Sequence, residues 1–401
     1  MVGKVEKAKV LWCSDLVTPT GFSRVAHSII EHLLDKYEII GLGVNYRGDP
    51  HKYKFPIYPA SLGGRIFGED RLAMILNNTK IDILYILNDA WVINNYLSYT
   101  KKNVKKDHLP KIVVYFPVDS KEHDPDWYEN FDVVTRAVTY TEFGRMVVND
   151  SHCKEDLKLD IIPHGTDKEI FYQKFTNRKD AKKNLIGKSK NPDSFIFLNA
   201  NRNQPRKRLD ITMKAFKLFA EGKDDVLLHM HCGVRDAHID VAKQARRLEI
   251  DNKLILTNLN PGVQLVPDVV LNDIYNASDV GINSSMGEGW GLTSVEHAMT
   301  GAPQIVPDHS ACAEIFIDCG LLVPTITEFT FDNSMTEGAL VSPEGLAEKM
   351  DLLYTDKDLY KTLSKKSLDK FSDDKYSWKT IAGMWDTLFS EVLDKHEHPV
   401  A

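Results

Sequence analysis

In the stretch Ser284–Glu314, SSMGEGWGLTSVEHAMTGAPQIVPDHSACAE, three glycines (Gly287, Gly289, Gly291) surround an acid and a Trp. A Gly-rich loop feeding a helix presents free N–H groups and the positive end of the helix dipole, a place to hold phosphate. Two carboxylates accompany it, Glu288 in the loop and Glu296 in the helix. Their separation of eight residues is not a same-face helical spacing, so their roles must differ. A phosphate site rimmed by acids suits a ligand that also carries hydroxyls, and a nucleotide sugar has both. Glycines on either side of Trp290 suit a backbone that approaches a ligand closely.

A second cluster precedes it. Leu198–Asp210 reads LNANRNQPRKRLD, a strand end followed by Arg202, Arg206, Lys207 and Arg208. Cations at the carboxyl end of a strand can neutralise a diphosphate, Arg bidentately and Lys as a point charge. A solvated helix start is the plainer reading, but the dipole there disfavours cations.

The elements that must position these residues alternate. Lys9–Ser14 reads as a buried strand, Phe22–Leu34 as a helix and Ile39–Val44 as the next strand. The loop after the first strand has one glycine, Gly21, and lacks Gly-x-Gly-x-x-Gly, which argues against a nicotinamide dehydrogenase. Arg71–Asn77 reads as helix. Ile83–Leu87, Ile112–Phe116 and Ala137–Tyr140 read as strands, and the Lys-rich run Lys101–Lys106 as a solvated connection. The polar, basic stretch Tyr172–Asp193 reads as a linker. A second series follows, with strands at Phe195–Asn199, Val226–His231, Leu254–Thr257, Val280–Asn283 and Ile305–Val306. Thr325–Leu340 reads as a loop, with helices at Pro343–Tyr354 and Asp358–Lys370. The closing helix carries Trp378, Ile381, Trp385, Leu388, Phe389 and Val392 at helical spacing, a face that needs a partner. The expected fold class is α/β: two parallel-sheet halves facing a cleft, with ligands at the carboxyl ends of strands.

Composition bounds the rest. A chain of 401 residues with 43% hydrophobic content is long enough for two cores. A net charge of −7 gives no global basic field for nucleic acid or acidic membranes. Five scattered cysteines without Cys-x-x-Cys (Cys13, Cys153, Cys232, Cys312, Cys319) argue against a disulfide framework or a structural zinc, and for a reducing, cytoplasmic setting. Neither a signal peptide nor a membrane span is expected.

In order along the chain, VTYTEFGRMVV, IPHGTDKEIF, NRNQPRKRLD, GEGWGLTSVEHAMTGAPQIV and YSWKTIAGMW resemble the motifs of the retaining glycosyltransferases of family 4. That resemblance spans nearly the whole chain and implies a GT-B fold. It implies an acceptor-side domain over 1–172, a nucleotide-sugar domain over 173–375 and a helix over 376–401 returning to the first domain. It implies transfer of a hexose from a UDP- or GDP-linked donor, UDP-glucose by default, to a hydroxyl acceptor, without a metal or other cofactor. Glu288 would then meet donor-sugar hydroxyls near the anomeric carbon. Gly289 and Trp290 would line the donor, and backbone N–H groups of Gly291, Leu292 and Thr293 would hold phosphate. Glu296 would accept from the ribose. Arg202 and Lys207 would clamp the diphosphate and stabilise the leaving group. Gly21 would lie by the donor phosphate or the acceptor, and the base against Thr257–Pro267. Many relatives carry a His after the fourth N-terminal strand, where this chain reads YFPVDSKEHD; Asp119 is the candidate there and His123 the second. His164 takes a structural role.

The acceptor would be a glycan, a small molecule, a lipid-linked sugar or a modified nucleobase. The acidic net charge disfavours a nucleic acid acceptor. Two other readings stand beside this one: a catalytically silent GT-B protein that binds sugar nucleotides or a partner, and a related sucrose- or trehalose-phosphate synthase or phosphorylase. A phosphorylase would need a pyridoxal-phosphate lysine, for which no motif is seen.

Overall fold

Short runs of β-branched and aromatic residues alternate with amphipathic segments, and in the computed structural model they become strands and helices. It describes residues 6–151, 157–175, 177–186, 191–262, 265–332 and 334–394. Cys153, Thr176 and residues 187–190 of the expected linker, Val263 and Gln264 of the expected base-facing segment, and Asn333 of the expected loop lie outside the described residues, as do both chain ends.

Contacts divide the chain into two units. The first takes in described residues of Met1–Val118, Glu122–Gly165 and Trp378–Ala401; the second, Asp119–Lys121 and Thr166–Ser377.

The first unit begins β1 (Lys9–Asp15), α1 (Gly21–Leu33), β2 (Glu38–Val44) and β3 (Ile57–Pro59). It continues through α2 (Glu69–Asn78), β4 (Ile83–Leu87), α3 (Ala90–Asn103) and β5 (Lys111–Tyr115). Next come β6 (Arg136–Thr139), α4 (Glu142–Asp150) and β7 (Leu159–Ile161). The strands form one parallel sheet in the order β3-β2-β1-β4-β5-β6-β7. Both faces are covered, so the central strand ILYIL is buried at every position. Two expectations are corrected. Strand β3 has no counterpart in the sequence reading. Lys101 and Lys102 close the last turn of α3 rather than lying in a connection.

The second unit holds α5 (Arg178–Ile186), β8 (Phe195–Asn199), α6 (Leu209–Phe219), β9 (Val226–Met230), α7 (Val241–Arg247) and β10 (Leu254–Leu256). It adds α8 (Asp268–Ala277), β11 (Val280–Ile282), α9 (Leu292–Ala298), β12 (Gln304–Pro307), α10 (Ser310–Phe316) and β13 (Leu321–Val323). Then follow β14 (Thr325–Thr330), β15 (Glu337–Val341), α11 (Pro343–Thr355) and α12 (Lys357–Phe371). The main sheet is again parallel, ordered β10-β9-β8-β11-β12-β13. Thr325–Leu340, expected as a loop, is instead an antiparallel hairpin of β14 and β15. Part of the expected linker is helix α5. Its Lys182 is buried and paired with Asp279 at 2.6 Å, which ties this polar segment down.

The chain then returns to the first unit as α13 (Trp378–Asp394). Its apolar face finds the partner it needs among the first unit's aromatics. Trp385 packs edge-on to Tyr85 at 5.0 Å and to Tyr115 at 4.8 Å, and Phe389 edge-on to Tyr37 at 5.5 Å. Gly165 permits this approach, since a Cβ there would lie 2.6 Å from the Trp378 ring. Gly383, on the exposed face of α13, has open space around it. Gly383→Ala is therefore expected to stabilise the protein by about 0.5–1 kcal/mol through helix propensity, read as a higher denaturant midpoint.

Among the described residues no helix is long and apolar enough to cross a membrane.

Candidate active site

The Gly-rich loop lies between β11 and α9, and its shape is set by local hydrogen bonds. Asn283, just past β11, accepts from the Ser285 N–H (2.8 Å) and donates to Glu288 Oε1 (3.1 Å). Ser285 Oγ donates to the Gly287 carbonyl (2.7 Å), and the Glu288 N–H donates to Ser310 Oγ (3.0 Å). Ser310 has φ 55°, a left-handed conformation held at the start of α10. Gly291 has φ 90°, which favours glycine, and caps α9. Leu292 and Thr293 open that helix, so their N–H groups have no acceptor within it.

The basic segment follows β8. Pro205–Lys207 makes one tight turn that ends at Arg208 in a left-handed conformation, φ 48°. Ser284 Oγ donates to the carbonyls of Lys207 (3.1 Å) and Arg208 (2.9 Å), and the Met286 N–H donates to the Arg206 carbonyl (2.9 Å). These bonds fix the turn against the Gly-rich loop. They bring Lys207 Nζ to 2.5 Å from Glu288 Oε1, and Arg206 Nη1 to 3.5 Å from Glu288 Oε2. Arg206 also reaches Asp119 at 3.3 Å and donates to the Gly287 carbonyl.

Glu288 thus sits between two cations. Burial alone would raise its pKa, but Lys207 and Arg206 together outweigh that and hold the carboxyl below the ordinary glutamate value. Lys207 fares differently. Burial first and Arg206 second push its pKa below the ordinary lysine value, against the pull of Glu288. Both partners shift downward because burial opposes both charges, and the opposite charges nearby outweigh it for Glu288 but not for Lys207, which also faces Arg206.

Each expected site residue can now be placed. Lys207, Glu288 and Asp119 come together, with Arg206 as the link that the sequence reading did not single out. Asp119 was expected in the 1–172 domain; its contacts place it with the second unit. Lys121, two residues on, exchanges backbone hydrogen bonds with Glu337 of β15, which holds this piece there. Arg202 is not at Glu288. Its guanidinium is held by Asp236, with Nε 2.7 Å from Oδ2. Glu296 is buried in α9 and accepts from the Tyr275 hydroxyl (3.0 Å). Thr293 Oγ1 lies 3.4 Å from Asn201 Oδ1. Gly289 lies in the Gly-rich loop, and Trp290 beside it is buried. Gly21 opens α1 in the first unit, after Thr20, which caps that helix.

His123, in the first unit, is buried with Nδ1 2.7 Å from the Tyr128 hydroxyl. His164 lies among Tyr140, Tyr115 and Trp378, and burial pushes its pKa down to about 3, a neutral packing ring. Cys13, Cys232, Cys312 and Cys319 are free and buried. Among the described residues no group of His, Cys, Asp and Glu could hold a metal ion.

Three further residues complete the cluster: Arg206, named in the sequence reading only as one of four cations, and Asn283 and Ser310, which that reading did not mark. Asn283 had a signal, since Asn at a strand end often turns the chain through its side chain.

Residues 180–369 match the model of the family described as glycosyl transferases group 1. The mannosylfructose-phosphate synthase of Agrobacterium fabrum is 24% identical over 195 residues, 47% of this chain and 40% of that protein. The chain therefore spans less than half the length of that curated relative. Among solved structures, the sucrose-phosphate synthase of Thermosynechococcus elongatus matches 97% of this chain and 100% of its own, with 15% identity and a TM-score of 0.75. Anabaena HepE, solved in complex with UDP and glucose, matches 96% of this chain and 100% of its own, with 14% identity and a TM-score of 0.70. The two parallel α/β units are thus those of a GT-B fold. Within it, residues 180–369 are the part that is similar to the glycosyl transferases group 1.

Proposed function

We propose that this chain is a retaining, metal-independent hexosyltransferase that uses a UDP- or GDP-linked sugar and a hydroxyl acceptor. The observation that carries the reading is the Lys207–Glu288–Arg206 cluster built against the Gly-rich loop. The site pairs its cations with an internal carboxylate. A donor diphosphate takes over that role for Lys207, and the freed Glu288 accepts from the hydroxyls of the sugar. Arg202 swings from Asp236 or shares it, and the N–H groups of Gly291, Leu292 and Thr293 meet the phosphate oxygens. Gly289 and Trp290 line the donor beside them. Glu296 takes the ribose. The bond between C1 and the phosphate oxygen breaks, and its electron pair stays on the phosphate. The acceptor oxygen bonds C1 on the same face, and its proton passes to the departing phosphate. Asp119 orients the acceptor hydroxyl. Fixed cations stabilise the charge that develops on the leaving group, which is the task a metal would otherwise perform. The free buried thiols suit a cytoplasmic setting.

The test is turnover of UDP-glucose, UDP-GlcNAc and GDP-mannose against a panel of sugar acceptors, with and without EDTA. Proton NMR reads the anomeric coupling of the product. Transfer with retained configuration and full activity in EDTA is expected. Inverted product would overturn retention, and loss on chelation would overturn metal independence. No turnover of any donor despite tight UDP binding would leave a silent binding protein.

A proton signature accompanies donor binding. The ligand-free Lys207 is held below its ordinary value, and a diphosphate beside it raises it again. Binding therefore takes up protons at alkaline pH. Affinity is full below the ligand-free pKa and falls as pH rises through it toward the pKa of the complex. Calorimetry of UDP in buffers of different ionisation enthalpy should show this uptake, and Lys207→Gln should abolish it.

A further inference from the structure

Three polar side chains on the neighbouring strands β9 and β10 of the second unit, or just past them, form a relay. Thr257 Oγ1 lies 3.0 Å from His229 Nε2 and 2.7 Å from His231 Nδ1. His229 is fully buried and His231 is 7% exposed. Burial pushes the pKa of His229 down to about 3 and that of His231 to about 4, so both rings are uncharged at neutral pH. A neutral imidazole carries one N–H and one bare nitrogen, and a hydroxyl has one hydrogen to give. His229 Nδ1 is buried with no partner among the described residues. A hydrogen there would be an orphaned buried donor, which protein interiors avoid. The hydrogen of His229 therefore sits on Nε2 and points at Thr257 Oγ1. The Thr257 hydroxyl then gives its own hydrogen to His231 Nδ1. That leaves the hydrogen of His231 on Nε2, which makes no hydrogen bond among the described residues. The relay ends in a fixed N–H donor at the carboxyl end of β9.

Its place ties it to the Gly-rich loop. The His231 N–H donates to the Asn199 carbonyl at the end of β8 (3.0 Å). Asn199 Oδ1 accepts from the Asn201 N–H (3.0 Å) and the Asn201 amide (3.1 Å), and Thr293 Oγ1 in the first turn of α9 donates to Asn201 Oδ1 (3.4 Å). Strand β9 stands two places from β11, which feeds the Gly-rich loop. Two strand spacings are roughly 10 Å. That is the reach from a diphosphate at the head of α9, across a ribose, to its base. The loops after β9 and β10 close into one surface there. The Val234 N–H donates to the Asn260 carbonyl (3.0 Å) and the Arg235 N–H to the Pro261 carbonyl (3.1 Å). Gly233 permits this approach, since a Cβ there would lie 2.1 Å from the Gly262 carbonyl oxygen.

We propose that His231 reads the base of the donor nucleotide, with Thr257 and His229 as positioning residues that hold it as an N–H donor. This rests on the transferase reading and gives its donor choice a physical origin. An N–H aimed at the base matches a carbonyl, O4 of uracil or O6 of guanine. It meets a second donor in the amino group that cytosine and adenine carry at the same places. The relay therefore admits keto bases and opposes amino ones.

The experiment reads binding apart from transfer. UDP, CDP, GDP, ADP and inorganic pyrophosphate are titrated into the full chain by calorimetry. His231→Ala and Thr257→Val are run alongside, with unliganded melting temperature as the control for folding. At least one keto nucleotide should bind about tenfold more tightly than its amino counterpart, the difference between a satisfied hydrogen bond and an opposed one. His231→Ala should bring that ratio close to one. Thr257→Val keeps the shape of the side chain and removes the hydroxyl, so His231 loses its fixed hydrogen and the ratio should fall severalfold. Pyrophosphate has no base and should bind all three proteins alike. Equal affinity within both nucleotide pairs in the wild type overturns the proposal, as does failure of every nucleotide to bind. So does a ratio that His231→Ala leaves unchanged, or a loss of pyrophosphate affinity as large as the loss for the favoured nucleotide, which would mark the histidine as a structural support of the phosphate site. Separately, turnover of the matching nucleotide sugars tests the transferase. A His231-dependent base preference in a chain that turns over no donor would sink the enzyme reading and leave the base contact standing.

Discussion

Glu288→Ala is expected to lower donor turnover by at least about a hundredfold, because the sugar loses the group that positions it. It is also expected to destabilise the second unit. The substitution leaves Lys207 and Arg206 beside each other with only Asp119 for compensation. Removing one partner of a buried pair costs about 3–5 kcal/mol, and we expect the lower end because Arg206 keeps part of its surface in water. That corresponds to a melting temperature lower by about 10 °C for a unit of this size. Lys207→Ala should be milder, since Glu288 keeps Arg206, Asn283 and the N–H···Oγ bond to Ser310 in place. The pH dependence has a definite sign. The folded carboxyl lies below its ordinary value, so its stabilising effect is present above the usual glutamate range and is lost as pH falls through the lowered value. The gap between wild type and Glu288→Ala should therefore close on acidification. Added UDP supplies the missing negative charge and should raise the variant's melting temperature more than the wild type's. Equal melting at neutral pH would refute this account of the cluster.

Gly287→Ala is the second substitution of large expected effect. A Cβ at Gly287 would lie 1.7 Å from the carbonyl oxygen of Asp119 and 2.9 Å from its carbon. The obstacle is backbone, so no side-chain rotation can relieve it. The loop must move, and with it the Gly287 carbonyl that accepts from Arg206 and Ser285. A loss of more than about 2 kcal/mol is expected, together with weakened UDP binding. Gly262→Ala, with open space around the glycine, should stay within about 0.5 kcal/mol of wild type in the same denaturation series.

Much of the alternation was legible because buried parallel strands are short apolar runs such as ILYIL and FIFLN, which few other structures demand. Three failures have separate physical causes. Helix α3, AWVINNYLSYTKKN, mixes aromatics and amides, so its apolar side is not marked by period alone; Tyr96 and Thr100 are buried where the pattern reads polar. The β14 strand TITEFT is exposed at every position, so no buried alternation signals it, and only pairing with β15 defines it. At the site, the run Arg206-Lys207-Arg208 offers three adjacent cations with nothing local to rank them. The choice is made by backbone conformation. The tight turn and the left-handed Arg208 send Lys207 and Arg206 to Glu288, while Arg208 pairs with Asp210 at 2.8 Å. A linear motif cannot express that.

The return of α13 to the first unit has a consequence for how the chain is made. The ribosome delivers β4 and β5 early, but the helix that covers Tyr85 and Tyr115 emerges only after the whole second unit. The second unit's main body, Thr166–Ser377, can thus reach its fold while the first, begun earlier, still shows bare aromatic surface. Such a nascent intermediate is the species that sticks to itself or engages a chaperone. Synthesis order and completion order are therefore reversed in this chain, and a stop codon placed before Trp378 would leave the older unit, not the newer one, unfinished.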